Sequence, residues 1–67
     1  MKTVDARGLS CPEPIMLTDQ ALKESNEQVK VLVTEPHQKM NVEKLAKSKG
    51  LSYTSNETED GFEVIIR

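Results

Sequence analysis

The stretch Gly8-Leu9-Ser10-Cys11-Pro12-Glu13-Pro14 holds the only cysteine of the chain, and two prolines that bracket one residue follow it directly. Each proline fixes φ near the helical value and has no N–H, so both suit the first turn of a helix and would disrupt its interior. This spacing predicts a helix that begins at Cys11 or Pro12. The N–H groups and the positive dipole end of a first turn favour an anion, so a thiolate there would be stabilised. Cys11 is therefore a candidate nucleophile.

The composition predicts one small folded domain over residues 1–67. Leu, Ile, Val and Phe together number 16 of 67 residues, which lies above the level of about 20% below which disorder is expected. The net charge of −2 argues against a general binder of phosphate backbones, and one Tyr, one Phe and no Trp leave little aromatic surface for stacking bases. A single cysteine forms no internal disulfide, and the start of the chain does not resemble a signal peptide or membrane span. We expect a reduced, cytoplasmic protein.

In the first half of the chain, the pattern predicts a strand, a turn and an amphipathic helix. The strand covers Lys2–Ala6, and Gly8 is free to take a positive φ where the chain turns toward the helix. The helix continues to about Glu24 or Ser25. Its buried face is expected to contain Pro14, Leu17, Thr18, Ala21 and Leu22, with Ile15 at the margin.

In the second half, a β-branched strand over Val29–Val33 is the clearest element, with its three valines facing the core and Leu32 on the other face. A second helix covers about Lys39 to Lys49, with Gly50 as its C′ residue. Two starts are open: Asn41 is its N-cap with Met40 and Leu45 as a hydrophobic staple, or the helix starts two or three residues earlier. A third strand over 51–55 and a fourth over 62–66 flank residues 56–61, whose Asp-Gly pair signals a hairpin turn.

The element order βαβαββ predicts an α+β fold, a two-layer sandwich in which two helices cover one face of a mixed four-stranded sheet. Leu32 and Ile65 would then lie on the open face. Ordinary scattered exposure explains them, and so does a contact with a second copy or a fused domain.

Several chemistries are open to an exposed cysteine. Arg7 is a candidate cation that lowers the pKa of Cys11, while the Glu13 carboxylate opposes that shift. His37 follows the second strand and could approach Cys11, because loops after parallel strands share one end of a sheet. A hydrolase would need a third orienting group, a zinc site would need paired ligand spacing, and dithiol redox chemistry would need a second cysteine. A lone thiolate suits a persulfide carrier, and we expect no cofactor and no metal.

Residues 5–14, Asp-Ala-Arg-Gly-Leu-Ser-Cys-Pro-Glu-Pro, resemble the signature of the TusA-type (SirA-like) sulfur-carrier family, whose βαβαββ domains are built around Cys-Pro-x-Pro. Glu35-Pro36 and the Asn41-Val42 helix that ends at Gly50 extend the resemblance over the chain. It implies that Cys11 accepts a persulfide sulfur from a cysteine desulfurase or rhodanese-like donor and passes it to an acceptor protein. In one branch of the family this relay feeds thiolation of the wobble uridine of tRNA.

The opening Val-Asp-Ala-Arg-Gly-Leu is nearer the YedF-type branch, in which a second domain follows and a link to selenium metabolism has been proposed. The tRNA-thiolation branch has basic residues in the middle of the first helix. This chain has Asp19 and Gln20 there and retains only Lys23.

Site residues follow from this resemblance. Cys11 is the sulfur-bearing nucleophile of a sulfurtransferase-like carrier, supported by Arg7, Gly8, Pro12, Glu13 and Pro14. Met16 and Lys23 are candidate partner contacts, although Met16 could instead bend back onto neighbouring side chains.

Two further alternatives remain. The second helix has four lysines that form either a solvated face or a docking surface for an acidic partner: Lys39, Lys44, Lys47 and Lys49. The family fold is similar to the C-terminal domain of a bacterial translation initiation factor. A non-catalytic regulatory, protein-interaction or RNA-binding domain, with an incidental cysteine, is therefore the rival function.

Overall fold

The computed structural model describes residues 1–10 and 12–67, and it confirms the predicted α+β architecture. The elements are β1 Lys2–Asp5, α1 Glu13–Glu24, β2 Val29–Val33, α2 Pro36–Ser48, β3 Tyr53–Thr58 and β4 Gly61–Ile66. The sheet order is β1-β2-β4-β3. β1 and β2 are parallel, while β4 runs antiparallel to both of its neighbours. The mixed sheet thus combines a parallel βαβ unit with a closing hairpin.

The core lies between the two helices and one face of the sheet. Val29, Val31 and Val33 are fully buried, as the alternation predicts, and Leu32 is half-buried on the opposite face. Helix α1 buries Pro14, Thr18, Ala21 and Leu22. Thr18 is accommodated because its hydroxyl donates to the Pro14 carbonyl at 2.7 Å, which satisfies its only polar group inside the core.

One residue predicted on the buried face of α1 is exposed in the structure. Leu17 is 38% exposed, because it lies over β1, the short edge strand of the sheet, where it lines a shallow groove with residues 2–5. An edge strand has no neighbour on its outer side, so the helix face above it is only partly covered. The prediction that Leu17 is buried is therefore wrong.

Helix α2 begins earlier than predicted. It starts at Pro36, and Glu35 is its N-cap in a reciprocal capping box with Gln38. The prediction of an Asn41 N-cap with a Met40–Leu45 staple is wrong, because Asn41 lies inside the helix and Met40 is 51% exposed. Proline at the first helical position and an acceptor side chain at the cap are both favourable here.

At the other end of α2, Gly50 is the C′ residue as predicted, with φ +72°. The Gly50 N–H donates to the Lys47 carbonyl at 3.0 Å, and the Leu51 N–H donates to the Ala46 carbonyl at 3.0 Å. These two bonds form a Schellman motif. Because Leu51 completes the helix end, β3 begins at Tyr53 rather than at Leu51.

The hairpin is tighter than predicted. β3 continues to Thr58, and the connection consists of Glu59 and Asp60 alone, so the predicted six-residue loop is wrong. Gly61 opens β4 instead of completing the turn. A Cβ at Gly61 would lie 2.2 Å from the Val33 carbonyl oxygen, so the glycine is needed for close approach of β4 to the end of β2.

The strand register brings three connections to one end of the sheet. Val33 at the end of β2 pairs with Phe62 near the start of β4, which in turn pairs with Glu57 near the end of β3. The β1–α1 loop, the β2–α2 connection and the β3–β4 turn therefore lie together. Tyr53 pairs with Ile66 at the opposite end of the sheet.

Replacing Gly61 with alanine should lower the free energy of unfolding by about 3 kcal/mol or more, because the new methyl group meets rigid backbone. Gly50→Ala is the matched control: its Cβ would meet nothing within 4 Å, so only the left-handed φ opposes it, at about 1 to 2 kcal/mol. Urea unfolding of both variants measures the difference. Equal losses would show that β4 does not require this close approach.

Candidate functional site

The candidate nucleophile Cys11 lies outside the described residues, so the site is defined by what flanks it. Its two neighbours, Ser10 and Pro12, are both exposed. Pro12 is the N-cap of α1, one residue before the helix begins at Glu13. The Glu13 N–H donates to the Ser10 carbonyl at 2.9 Å, and the Met16 N–H donates to the Pro12 carbonyl at 3.0 Å. The chain on both sides of Cys11 is thereby tied to the start of α1.

Pro14 occupies the second helical position and is fully buried. Because neither Pro12 nor Pro14 has an N–H, and the Glu13 N–H already bonds to Ser10, the first turn has fewer amides to offer an anion than an ordinary helix start.

The loop that leads to Cys11 is held by the β2–α2 connection. Gly8 adopts φ +77°, as the sequence predicts, and its N–H donates to Thr34 Oγ1 at 2.9 Å. One residue further, the Leu9 carbonyl accepts a hydrogen bond from Gln38 Nε2. The Leu9 side chain packs against the core. Backbone and side chain are thus both fixed just before the cysteine.

Gln38, a residue of α2, donates the hydrogen bond to the Leu9 carbonyl. The sequence analysis did not predict this contact. The residue is 4% exposed. Its Oε1 accepts the Glu35 N–H at 3.2 Å, while its Nε2 reaches the Leu9 carbonyl. The Glu35-Pro36-His37-Gln38 sequence, an acidic cap followed three residues later by Gln, was the available signal for the capping half of this role.

Arg7 is engaged by carboxylates at the same end of the sheet. Its Nε lies 2.9 Å from Asp5 Oδ1, and its Nη1 lies 2.9 Å from Asp60 Oδ2 in the β3–β4 turn. The hydrogen bond from Arg7 lowers the pKa of Asp5 from 3.8 to about 2, and the same contact raises the pKa of Arg7. The guanidinium charge is therefore already balanced by two carboxylates. Any contact between Arg7 and Cys11 lies outside the described residues.

A cavity of about 300 Å³ opens between the start of α2 and residues 7–10, which precede Cys11 and are called the cysteine loop below. Its lining is formed by Gly8, Leu9, Ser10, Thr34, Glu35, His37 and Gln38. The predicted approach of His37 to the cysteine loop is thus supported as far as Ser10, the residue directly before Cys11.

Of the candidate partner contacts, Met16 is 62% exposed in the first turns of α1. The alternative in which it bends back onto its neighbours is wrong. Lys23 is exposed and pairs with Asp19, Nζ to Oδ2 at 3.1 Å, and Asp19 also receives Lys49 from α2 at 2.8 Å. Asp19 therefore links α1 to Lys49, the C-cap residue of α2, and pairs with both lysines.

The lysines of α2 do not form one uniform solvated face. Lys49 reaches across to Asp19, and the Lys39 Nζ lies 5.3 Å from the centroid of the Phe62 ring. Lys44 and Lys47 are exposed. Lys39 and Lys49 are therefore held by contacts within the molecule.

Among residues 1–10 and 12–67, no group of three His, Cys, Asp or Glu side chains is placed to hold a metal ion. In the same part of the chain, neither helix has the length and apolar character needed to cross a bilayer.

A parallel βαβ unit closed by an antiparallel hairpin, with Cys-Pro-x-Pro leading into its first helix, defines a class of small α+β domains. Residues 2–67 match the model of the sulfurtransferase TusA family. The chain therefore belongs to the TusA family, which supports a general sulfur-carrier role in relay with other proteins.

The crystal structure of a SirA-like protein from Desulfitobacterium hafniense is similar throughout. It is 32% identical, the match covers 98% of this chain and 93% of that one, and the TM-score is 0.88. No match was found among curated proteins.

The pH dependence of the Asp5–Arg7 pair can be tested by NMR titration of the Asp5 carboxyl carbon. Because the folded pKa is depressed, the pair stabilises the fold above the unfolded pKa, and this stabilisation is lost as the pH falls from 3.8 through about 2. Arg7→Gln should return the Asp5 pKa toward 3.8. Lys23→Gln is the control, since it should raise the pKa of Asp19 and leave Asp5 unchanged. An Asp5 pKa unaffected by Arg7→Gln would contradict the pairing.

Proposed function

We propose that this protein carries sulfur as a persulfide on Cys11, accepting it from a cysteine desulfurase or rhodanese-like donor and passing it to an acceptor protein. One observation carries the proposal: a chain that matches the TusA family over residues 2–67 has its only cysteine in Cys-Pro-x-Pro, immediately before α1. A single thiol without a second cysteine can hold one sulfur atom and must release it to another molecule.

The proposed relay consists of two thiol–persulfide exchanges. In loading, the Cys11 thiolate attacks the outer sulfur of the donor persulfide, the donor S–S bond breaks, and the donor cysteine leaves as a thiolate. In release, a thiolate of the acceptor attacks the outer sulfur on Cys11, and Cys11 leaves as a thiolate. No net oxidation occurs, because each step breaks one S–S bond and forms another.

The supporting residues act in this proposal through the shape of the loop. Gly8 supplies the left-handed turn, and Pro12 and Pro14 set where the helix starts. Arg7 holds the loop toward the β3–β4 turn through Asp60, since its charge is shared with two carboxylates. Glu13, two residues after Cys11 in the chain, adds a negative charge that favours the neutral thiol over the thiolate and so opposes the effect of a cation.

The charge on α1 bears on which relay the protein serves. Asp19 pairs with both Lys23 and Lys49, so among the described residues the middle of α1 has no cluster of cations free of carboxylate contacts. A partner that recognises basic residues there would find little to bind. This favours a YedF-type relay, with a link to selenium metabolism, over tRNA thiolation.

The central test is intact mass spectrometry after incubation with a cysteine desulfurase and cysteine. The wild-type protein should gain one sulfur atom that a reductant removes, and Cys11→Ser should gain none. Since Cys11 is the only cysteine, any sulfur retained by the serine variant would assign the adduct to another group. An unchanged wild-type mass with several desulfurases and rhodanese-like donors would overturn the proposal and favour a non-catalytic interaction domain.

We propose Met16, five residues after Cys11 in the chain, as a contact for the donor protein. In the loading reaction, Met16→Ser should raise the KM of the donor enzyme for this carrier about tenfold, because burial of one methionine side chain is worth roughly 1.5 kcal/mol or more. The unfolding transition of the carrier should be unchanged. Tyr53→Ser is the matched control: Tyr53 is 42% exposed but lies at the far end of the sheet. Equal effects of the two substitutions on KM would remove Met16 from the docking surface.

A further inference from the structure

The outer edge of β3 has no neighbouring strand among the described residues. The sheet order places β1 at one side and β3 at the other. β1 is four residues long, whereas β3 is six residues long and has no buried residue. β3 contains no proline and no lysine, and its pairing with β4 runs from Tyr53 to Thr58 without a bulge. Of the features that usually protect a sheet edge from pairing with another chain, β3 therefore has only one charged side chain, Glu57.

The hydrogen-bond pattern shows which backbone groups of β3 point outward. Directly before the strand, the Ser52 carbonyl accepts the Arg67 N–H at 2.7 Å. In an antiparallel ladder every second residue from Ser52 onward then exchanges hydrogen bonds with β4. The N–H and C=O groups of the residues between them, Tyr53, Ser55 and Glu57, point away from β4. They form a row about 20 Å long that matches the main chain of an added strand.

A cavity of about 260 Å³ lies beside this row, between α2 and the β3–β4 hairpin. Its lining is formed by Lys39, Ser55, Asn56, Glu57 and Phe62. The Ser55 hydroxyl donates to the Glu43 carboxylate of α2, which holds β3 against the helix. A strand added to β3 would direct every second side chain toward the helices, and the cavity has room for one of them.

The charge of the hairpin indicates the chemistry of the partner. Residues 53–63 contain four carboxylates and no lysine or arginine. Asp60 and Glu63 are engaged in ion pairs, whereas Glu57 and Glu59 are exposed and have no ion-pair partner within residues 1–10 and 12–67. The Lys39 ammonium in the cavity lies 3.9 Å from a carboxylate of its own helix. The complementary strand is therefore basic, and a second copy of this acidic hairpin is disfavoured.

We propose that the outer edge of β3 binds a basic, extended segment of a partner protein as an additional strand of the sheet. Main-chain hydrogen bonds along β3 supply the affinity, and the Glu57 and Glu59 carboxylates select the basic partner. The Tyr53 side chain is not required, because its contribution comes from the backbone. This role does not depend on sulfur transfer.

The β3 edge is separate from the contact proposed for the sulfur donor. Met16 lies on α1, which packs on β1 and β2, whereas α2 packs on β4 and β3. The two edge strands are on opposite sides of the sheet. A segment bound along β3 therefore leaves Met16 accessible, and the protein can hold two partners at once.

Amide hydrogen exchange tests the proposal with an end-blocked, eight-residue peptide of alternating lysine and valine. At saturation, the peptide should slow exchange of the Ser55 and Glu57 amides at least tenfold, because their N–H groups gain acceptors. The amides of Thr54 and Asn56 already bond to β4 and should change less than twofold. A peptide of alternating glutamate and valine is the control of opposite charge and should leave all four amides unchanged.

Variants of β3 separate main-chain pairing from attraction between charges. Ser55→Pro should abolish binding of the lysine peptide and keep the ladder to β4, because proline is tolerated where the missing N–H faces solvent. Ser55→Ala is the matched control: it also loses the hydroxyl contact with Glu43 but keeps the N–H, and should bind like the wild type. If the proline variant does not fold, Glu57→Lys should still weaken binding at least fivefold. Glu27→Lys, an exposed charge reversal outside the hairpin, should bind within twofold of the wild type.

Three results would overturn the proposal. Equal slowing at all four amides, or equal losses of affinity for the two charge reversals, would show general attraction between charges instead of strand pairing. A dimer of the free protein that Ser55→Pro dissociates would assign the edge to a second copy. A wild-type protein that does not bind the lysine peptide at millimolar concentration would show that the edge takes no basic strand, whatever the outcome of the sulfur-loading test.

Discussion

The hydrogen bonds of the buried Gln38 side chain join the start of α2 to the loop that leads to Cys11. Its carbonyl oxygen accepts an N–H at the N-cap of α2, and its amide nitrogen donates to the carbonyl of Leu9, two residues before the cysteine. A buried amide is costly unless each of its groups is paired, and here both are paired with backbone. One side chain therefore completes the start of the second helix and fixes the loop that precedes the first.

The parallel βαβ unit explains how the Gln38 side chain can reach both backbone segments. Because β1 and β2 run in the same direction, the loops that follow them lie side by side, and the β3–β4 turn joins them through antiparallel pairing with β2. Thr34 receives the Gly8 N–H from one side and Asp60 receives Arg7 from the other. The cysteine loop is thereby held from two neighbouring connections, while both residues beside Cys11 stay exposed. Such a loop is held just before the cysteine, while the exposed Ser10 and Pro12 leave it open to a large partner, as the proposed relay requires.

Local sequence patterns predicted the structure correctly where burial follows a simple period. The alternating valines of β2 and the glycines at the two left-handed positions, Gly8 and Gly50, were predicted because one strand or one helix end decides them. Errors arose where two elements compete for the same residues. Asn41 is a good cap by itself, yet the Glu35–Gln38 capping box and Pro36 start the helix first. The polar residues at 56–58 read as a loop, yet pairing with β4 holds them in an edge strand that tolerates polar side chains.

The sequence alone determined the order of elements, the α+β class and the position of a lone cysteine before a proline-marked helix, because hydrophobic period and proline stereochemistry act over a few neighbouring residues. Only the tertiary structure decided what holds the loop before the cysteine. Thr34, Gln38 and Asp60 reach the loop across separations of 26, 29 and 53 residues. Such partners depend on strand register and on how closely whole elements approach one another, which no local pattern in the chain specifies.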